Sequence, residues 1–221
     1  MSAVCYFKRN AIHWYFSDKN EGLTAQISQG AISNLEIVDE MILMQEVGKA
    51  VGKVIPKPPV QTMLILDDDI CFSTKVPQPV VPENLKNIAS DVPFSHVETV
   101  TVHYKTDDLA VSANSDLYQA IVRSLGQVGY DVTLIIPWVA VIASGISENG
   151  EMDRVTVKRI FDATATLKGS SFSFEKSHPS DLTLTQSNKA SQPKKLPIGW
   201  IIFISIALVY AAVMLWVYIR G

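Results

Sequence analysis

From Ile198 to Ile219 the chain reads IGWIIFISIALVYAAVMLWVYI, 22 residues without one charged side chain. At ~1.5 Å of rise per residue a helix of that length spans roughly 33 Å, enough to cross a hydrocarbon core of about 30 Å. Trp200 stands near one end, and Trp216 and Tyr218 near the other. Amphipathic rings favour the headgroup boundary at those depths. A run this apolar therefore predicts a transmembrane helix over 198–219, with the working part of the protein on its N-terminal side. Ser205, Ala207 and Ala211 make one side of that helix smooth. Small residues four apart let backbones approach closely in lipid, which makes these three a candidate helix–helix contact.

Lys189, Lys194 and Lys195 precede the span, while Arg220 alone follows it. Positive charge is retained on the cytoplasmic side, so residues 1–195 are expected in the cytoplasm, beneath an inner membrane crossed once. The opening MSAVCYFKRN is too short in apolar residues for a signal peptide, and its basic pair follows the apolar stretch. Cys5 and Cys71 are the two cysteines, without metal or redox spacing. Both fit strands of a domain in a reducing compartment. Residues 178–197, rich in Ser, Thr, Gln, Lys and Pro, have little to bury and read as a flexible tether.

The tether leaves about 170 residues, enough for one ordinary domain or two small lobes. The expected division is a cytoplasmic domain over 1–176, a tether over 177–197 and the anchor over 198–219. A net charge of −3, with no basic run interleaved with aromatics, disfavours a nucleic-acid partner.

Within 1–176 the pattern is α/β. AVCYF, AIHWYF and LTAQIS, separated by KRN and SDKNEG, predict an antiparallel meander. Ile37, Met41, Met44, Val47 and Val51 recur at helical spacing and predict a helix over 36–53, with that stripe as its core face. QTMLIL, DDD and ICFSTKV predict a hairpin over 61–76. Pro82 is placed to start a short helix over 83–90. HVETVTVHY and LAVSA predict two strands turned at Thr106-Asp107-Asp108. Asn114 or Ser115 then caps a helix over 116–128 bearing Leu117, Ile121 and Leu125 on one face, and Gly129 ends it. DVTLIIP reads as a buried strand, 138–145 and 152–167 as helices, and GSSFSF as a short strand.

Few residues offer chemistry. Asp67, Asp68 and Asp69 could supply oxygen ligands to a divalent cation, but adjacent strand positions point to opposite faces and Asp favours turns. They are read as a turn. His96 and His103, seven apart, fall on opposite faces of one strand. No GxSxG elbow, Walker motif or dinucleotide fingerprint is present, and neither cysteine has a neighbour that would lower its pKa. No catalytic, cofactor or metal residues are assigned, and an enzyme is not expected.

MLILDDDICFSTKVP, with its terminal Pro, and LGQVGYDVTLIIPWVAV, a helix–Gly–strand–Pro–helix run, carry a resemblance over about residues 2–145. The chain resembles the actin-like protein of the type IV pilus inner-membrane platform and the cytoplasmic domain of its type II secretion counterpart. The resemblance implies an actin-like (ribonuclease H-like) partial domain, with a meander followed by an inserted small α+β lobe at about 36–113. Nucleotide-binding actin-like proteins open with an acid and a Gly-rich hairpin that cradles phosphate. Cys5-Tyr6-Phe7-Lys8-Arg9-Asn10 stands in that place and has neither. The resemblance thus implies a half-length, degenerate relative that has lost the ATP site. Its expected role is a membrane-anchored, non-enzymatic scaffold whose partners are other platform proteins, with self-association through the anchor. The alternative is a membrane-tethered enzyme or nucleotide sensor with an unfamiliar site.

Overall fold

The computed structural model describes residues 2–18, 22–52, 58–147 and 152–174. The meander forms as expected. β1 (Ser2–Lys8), β2 (Ala11–Phe16) and β3 (Leu23–Gln26) pair antiparallel in sequence. A two-stranded hairpin follows, β4 (Ile32–Ser33) and β5 (Glu36–Ile37). Its loop residues Asn34 and Leu35 have φ of 51° and 62°. This left-handed pair suits the twist of a two-residue hairpin, but Leu is an unusual occupant because its side chain crowds the backbone there.

Helix α1 (Glu40–Val51) therefore starts four residues later than 36. Asp39 caps it, accepting the amides of Met41 and Ile42 at 2.8 and 3.1 Å. Its buried residues are Leu43 and Val47, whereas Met41 is 61% exposed. The expected stripe is corrected: Val47 is shared, but the face turned inward runs through Leu43 and leaves Met41 in solvent.

β6 (Val60–Leu66) is not half of a hairpin. It runs parallel to β1 on one side and to β10 (Tyr130–Pro137) on the other, giving a five-stranded sheet in the order β10-β6-β1-β2-β3. A strand flanked on both edges and covered on both faces needs a continuous apolar run. VQTMLIL supplies it, with Gln61 alone exposed. The strand after the aspartates, β7 (Phe72–Lys75), belongs to a second sheet with β8 (Val97–Tyr104) and β9 (Asp107–Asn114), in the order β7-β9-β8, all antiparallel. Between β7 and β8 lies α2 (Pro82–Ser90), started by its proline. The second sheet with α2 thus occupies 72–114, narrower than the segment 36–113, because α1 packs on β3 and α3 (Ser115–Gln127), and β6 is central to the first sheet. The turn between β8 and β9 falls at Lys105 (φ 58°), one residue earlier than expected, and Asp107 and Asp108 lie in the strand.

Asn114 caps α3, whose Leu117, Ile121 and Leu125 are all buried as predicted. Gly129 (φ 87°) reverses the chain into β10, and its carbonyl accepts the amide of Val60 at 2.9 Å. After α4 (Trp138–Ala143), the helix expected over 152–167 is two pieces, α5 (Arg154–Asp162) and α6 (Thr164–Leu167), broken at Ala163. A 3₁₀ turn at Lys168–Ser170 follows, and GSSFSF makes only one antiparallel bridge, Phe172 to Ile135. Among the described residues no helix is long and apolar enough to cross a membrane. The span over 198–219 lies outside them, as do its anchor residues Trp200, Trp216 and Tyr218 and the contact residues Ser205, Ala207 and Ala211.

Candidate functional site

Among the described residues two places are candidates for a site. The first lies where the parallel strands β1, β6 and β10 end together, the edge at which open α/β sheets bind ligands. There the run Asp67–Asp69 leaves β6, faces the β1–β2 turn and meets the start of α4. Each carboxylate already has a partner. Asp67 accepts the Tyr6 hydroxyl and the Asp69 amide (3.3 Å), Asp69 accepts the Arg9 amide (3.4 Å), and Asp68 accepts from the backbone of Val139. The Tyr6 ring lies 5.3 Å from Trp138, and the Lys8 ammonium sits 5.2 Å from the Tyr6 centroid.

Crowding sets the electrostatics here. Partial burial, and then the neighbouring aspartates, raise the pKa values of Asp68 and Asp69. Burial first and Asp67 second raise that of Tyr6. Cys71, in the bend after the aspartates instead of inside a strand, is raised by burial and by Asp68. Cys5 lies fully buried in β1, where desolvation pushes its thiol up. Both cysteines are free. This corner holds its thiols and phenol neutral and consumes its carboxylates in the turn. Among the described residues no three His, Cys, Asp or Glu side chains converge as metal ligands. The histidines are dispersed as well. His13 lies 3.0 Å from Thr24, His103 in β8 pairs with Asp108 at 2.9 Å, and His96, just before β8, pairs with Asp116 at 2.8 Å.

The second place is the outer edge of β7. The amide of Val76 donates to the Asp108 carbonyl at 2.9 Å, which makes this a hydrogen-bonded pair, and the register then makes Thr74–Ala110 and Phe72–Ser112 hydrogen-bonded pairs too. The N–H and C=O of Ser73 and Lys75 consequently point away from β9. All four residues of β7 are exposed, and no other strand among the described residues pairs with it. Phe72 packs edge-on against Phe94 at 5.7 Å, and Lys75 pairs with Asp107 at 2.7 Å. These fix the strand from one side and leave the other open to an added strand. Nothing in the local sequence pattern singles out Ser73 and Lys75. Their outward direction depends on pairing with β9, almost 40 residues away. The polar run FSTK beside the apolar run of β6 was the available signal.

No family model matches the chain, and no curated protein matches it. Among solved structures it is similar to the PilM–PilN type IV pilus biogenesis complex, at 9% identity and a TM-score of 0.46, over 66% of this chain and 51% of that one. It is also similar to the cytoplasmic domain of EpsL, an inner membrane component of the type II secretion system of Vibrio cholerae. There the identity is 14% and the TM-score 0.38, over 63% of this chain and 56% of the other. The chain spans about half the length of the structures that it matches.

Proposed function

We propose that this protein is a non-enzymatic adaptor, held on the cytoplasmic face of a membrane by residues 198–219, that binds an extended segment of a partner along β7. The open backbone of Ser73 and Lys75 carries this reading. Strand addition draws affinity from main-chain hydrogen bonds, and a short edge with Phe72 and Lys75 beside it gives the added strand an apolar and a cationic contact. Confinement beside a membrane complex raises the effective concentration of such a site, so a modest intrinsic affinity suffices.

The machine is an envelope assembly platform of the type IV pilus or type II secretion kind. The order of elements supports this: a meander, a parallel strand, a second sheet inserted after it, then helix, Gly129, strand and Pro137 before an Ala-bearing helix. The meander, the small inserted lobe and the helix–Gly–strand–Pro–helix run of LGQVGYDVTLIIPWVAV are what the resemblance implies, whereas its hairpin MLILDDDICFSTKVP is divided between the two sheets. The partners are other single-span platform proteins and, through them, an assembly ATPase. Self-association runs through Ala207 and Ala211, and Ala211→Leu is expected to weaken it by about 1 kcal/mol in a Förster-transfer assay in bilayers. Equal transfer in both proteins would reduce the segment to a plain anchor.

Loss of nucleotide binding belongs to the same proposal. Arg9 and Asn10 form the β1–β2 turn without a glycine that would let phosphate approach the backbone, and the aspartates opposite are engaged by Tyr6, Arg9 and their own turn. Calorimetry with ATP and magnesium on the full chain tests it. Binding tighter than ~100 μM, about −5.5 kcal/mol, would overturn it in favour of a nucleotide sensor.

A further inference from the structure

The last described residues, 170–174, lie across the seam between the two sheets. On one side the Phe172 amide donates to the Ile135 carbonyl at 2.9 Å, at the free edge of β10. On the other side they meet the free edge of β8. The Ser115 amide donates to the His96 carbonyl at 3.0 Å, so Glu98, Val100 and Val102 face β9, and the backbone of Thr99 and Thr101 faces outward. The Ser170 hydroxyl donates to the outward Thr101 carbonyl at 3.3 Å. Glu98 Oε1 accepts both the amide and the hydroxyl of Ser173, at 2.8 and 2.6 Å. Between these clamps the Phe172 ring stacks on Tyr118 at 5.6 Å, 2% exposed, and the Tyr118 hydroxyl contacts Glu98 and the Ser173 carbonyl (3.1 Å).

This segment is held unlike the rest of the sheet. β6 and β10 share a ladder along seven residue pairs, whereas 170–174 have one main-chain bond to β10 and otherwise side-chain contacts. Few ladder bonds and a charged, half-exposed clamp are marks of a segment that opens below the global unfolding free energy. Chain connectivity adds direction, because any pull on residues 175–221 reaches this segment before it reaches a strand.

We infer that residues 170–174 are a latch between the sheets. Released, they leave Glu98 with Tyr118 alone and the edge of β8 uncovered, and loosen the three-stranded sheet, while the five-stranded sheet stays folded. β8 still packs on α4, so its ladder to β9 frays without the strand detaching. The device would let the state of the C-terminal segment set the rigidity of the sheet that carries the open β7 edge.

Native-state hydrogen exchange on the full chain in detergent micelles, across low denaturant, tests this. The amides of Phe172, Ser173, Glu98, Val100 and Val102 should share one opening, at least ~10-fold more frequent than the opening of β1 and β6 and with a smaller denaturant slope. Glu98→Gln keeps the shape but weakens the clamp, and should speed both the latch and the β8 amides by a common factor of at least ~3. The inference is overturned if the latch and β8 amides follow the isotherm of β1 and β6. It is equally overturned if Glu98→Gln speeds Ser173 alone and leaves Val100 and Val102 unchanged.

Discussion

Asn114 Nδ2 donates to the carbonyl of Leu35 at 2.9 Å, across 79 residues of sequence. The same side chain accepts the Asp116 amide through Oδ1 at 3.1 Å, so one buried amide both starts α3 and holds the left-handed turn of the β4–β5 hairpin. Asn114→Ala should destabilise the protein by about 2–4 kcal/mol, roughly 1 from the lost cap and the rest from a buried carbonyl left without a donor. Asn114→Asp keeps the cap and loses the donor, and should fall between the two. Urea denaturation checks both. An alanine variant within ~0.5 kcal/mol of wild type would mean that the Leu35 turn holds itself.

Two aspartates should give opposite pH signatures. Asp68 has a raised pKa in the folded state, from partial burial and from Asp67 and Asp69. Its charge opposes folding above that raised pKa, and stability is regained as pH falls through it toward the ordinary carboxylate value. Asp153 has a lowered pKa because its carboxylate accepts the Thr156 amide at 2.7 Å as the cap of α5. Its contribution is present above the ordinary carboxylate value and is lost as pH falls through the lowered one. Asp68→Asn should therefore stabilise at neutral pH and flatten the acid side of the profile. Asp153→Ala should destabilise by about 1 kcal/mol at neutral pH and converge with wild type in acid. Thermal melts between pH 3 and 8 separate the cases, and profiles moving in parallel would contradict the assignment.

The orientation of β7 is testable without any partner. Ser73→Pro removes an N–H that points to solvent and should cost little, whereas Thr74→Pro removes a ladder bond to β9 and should cost about 3 kcal/mol or more. Equal costs in denaturant unfolding would mean that the register of β7 is misassigned.

Much of the element order was legible from local pattern. Alternation and turn residues located β1 to β3, Asn114 and Gly129 bracketed α3, and Pro82 started α2. What was not legible depended on distant partners. β6 and β7 look like the arms of a hairpin because only the aspartates separate them, yet β6 is claimed by β1 and β10 and β7 by β9. The apolar run MLIL of β6 beside the polar run FSTK of β7 was the sign that they lie in different environments. In α1, both the Met41 stripe and the Leu43 stripe satisfy helical spacing, and packing against β3 and α3 chose the latter. The outward groups of Ser73 and the Glu98–Ser173 clamp followed from registers that no local motif encodes.

The proposed orientation rests on the lysines before residue 198. A cysteine added at the C-terminus should react with an impermeant reagent outside intact cells, and one placed within 180–190 should not. The reverse labelling would move the whole N-terminal part to the other side of the membrane.

Affinity recovery of the full chain from mildly solubilised membranes, wild type beside Ser73→Pro, reaches the adaptor reading itself. Wild type should bring down at least one other envelope-assembly membrane protein, and Ser73→Pro, folded and equally abundant, should lose it. Recovery of no such protein by wild type, or equal recovery by both, would contradict binding along β7.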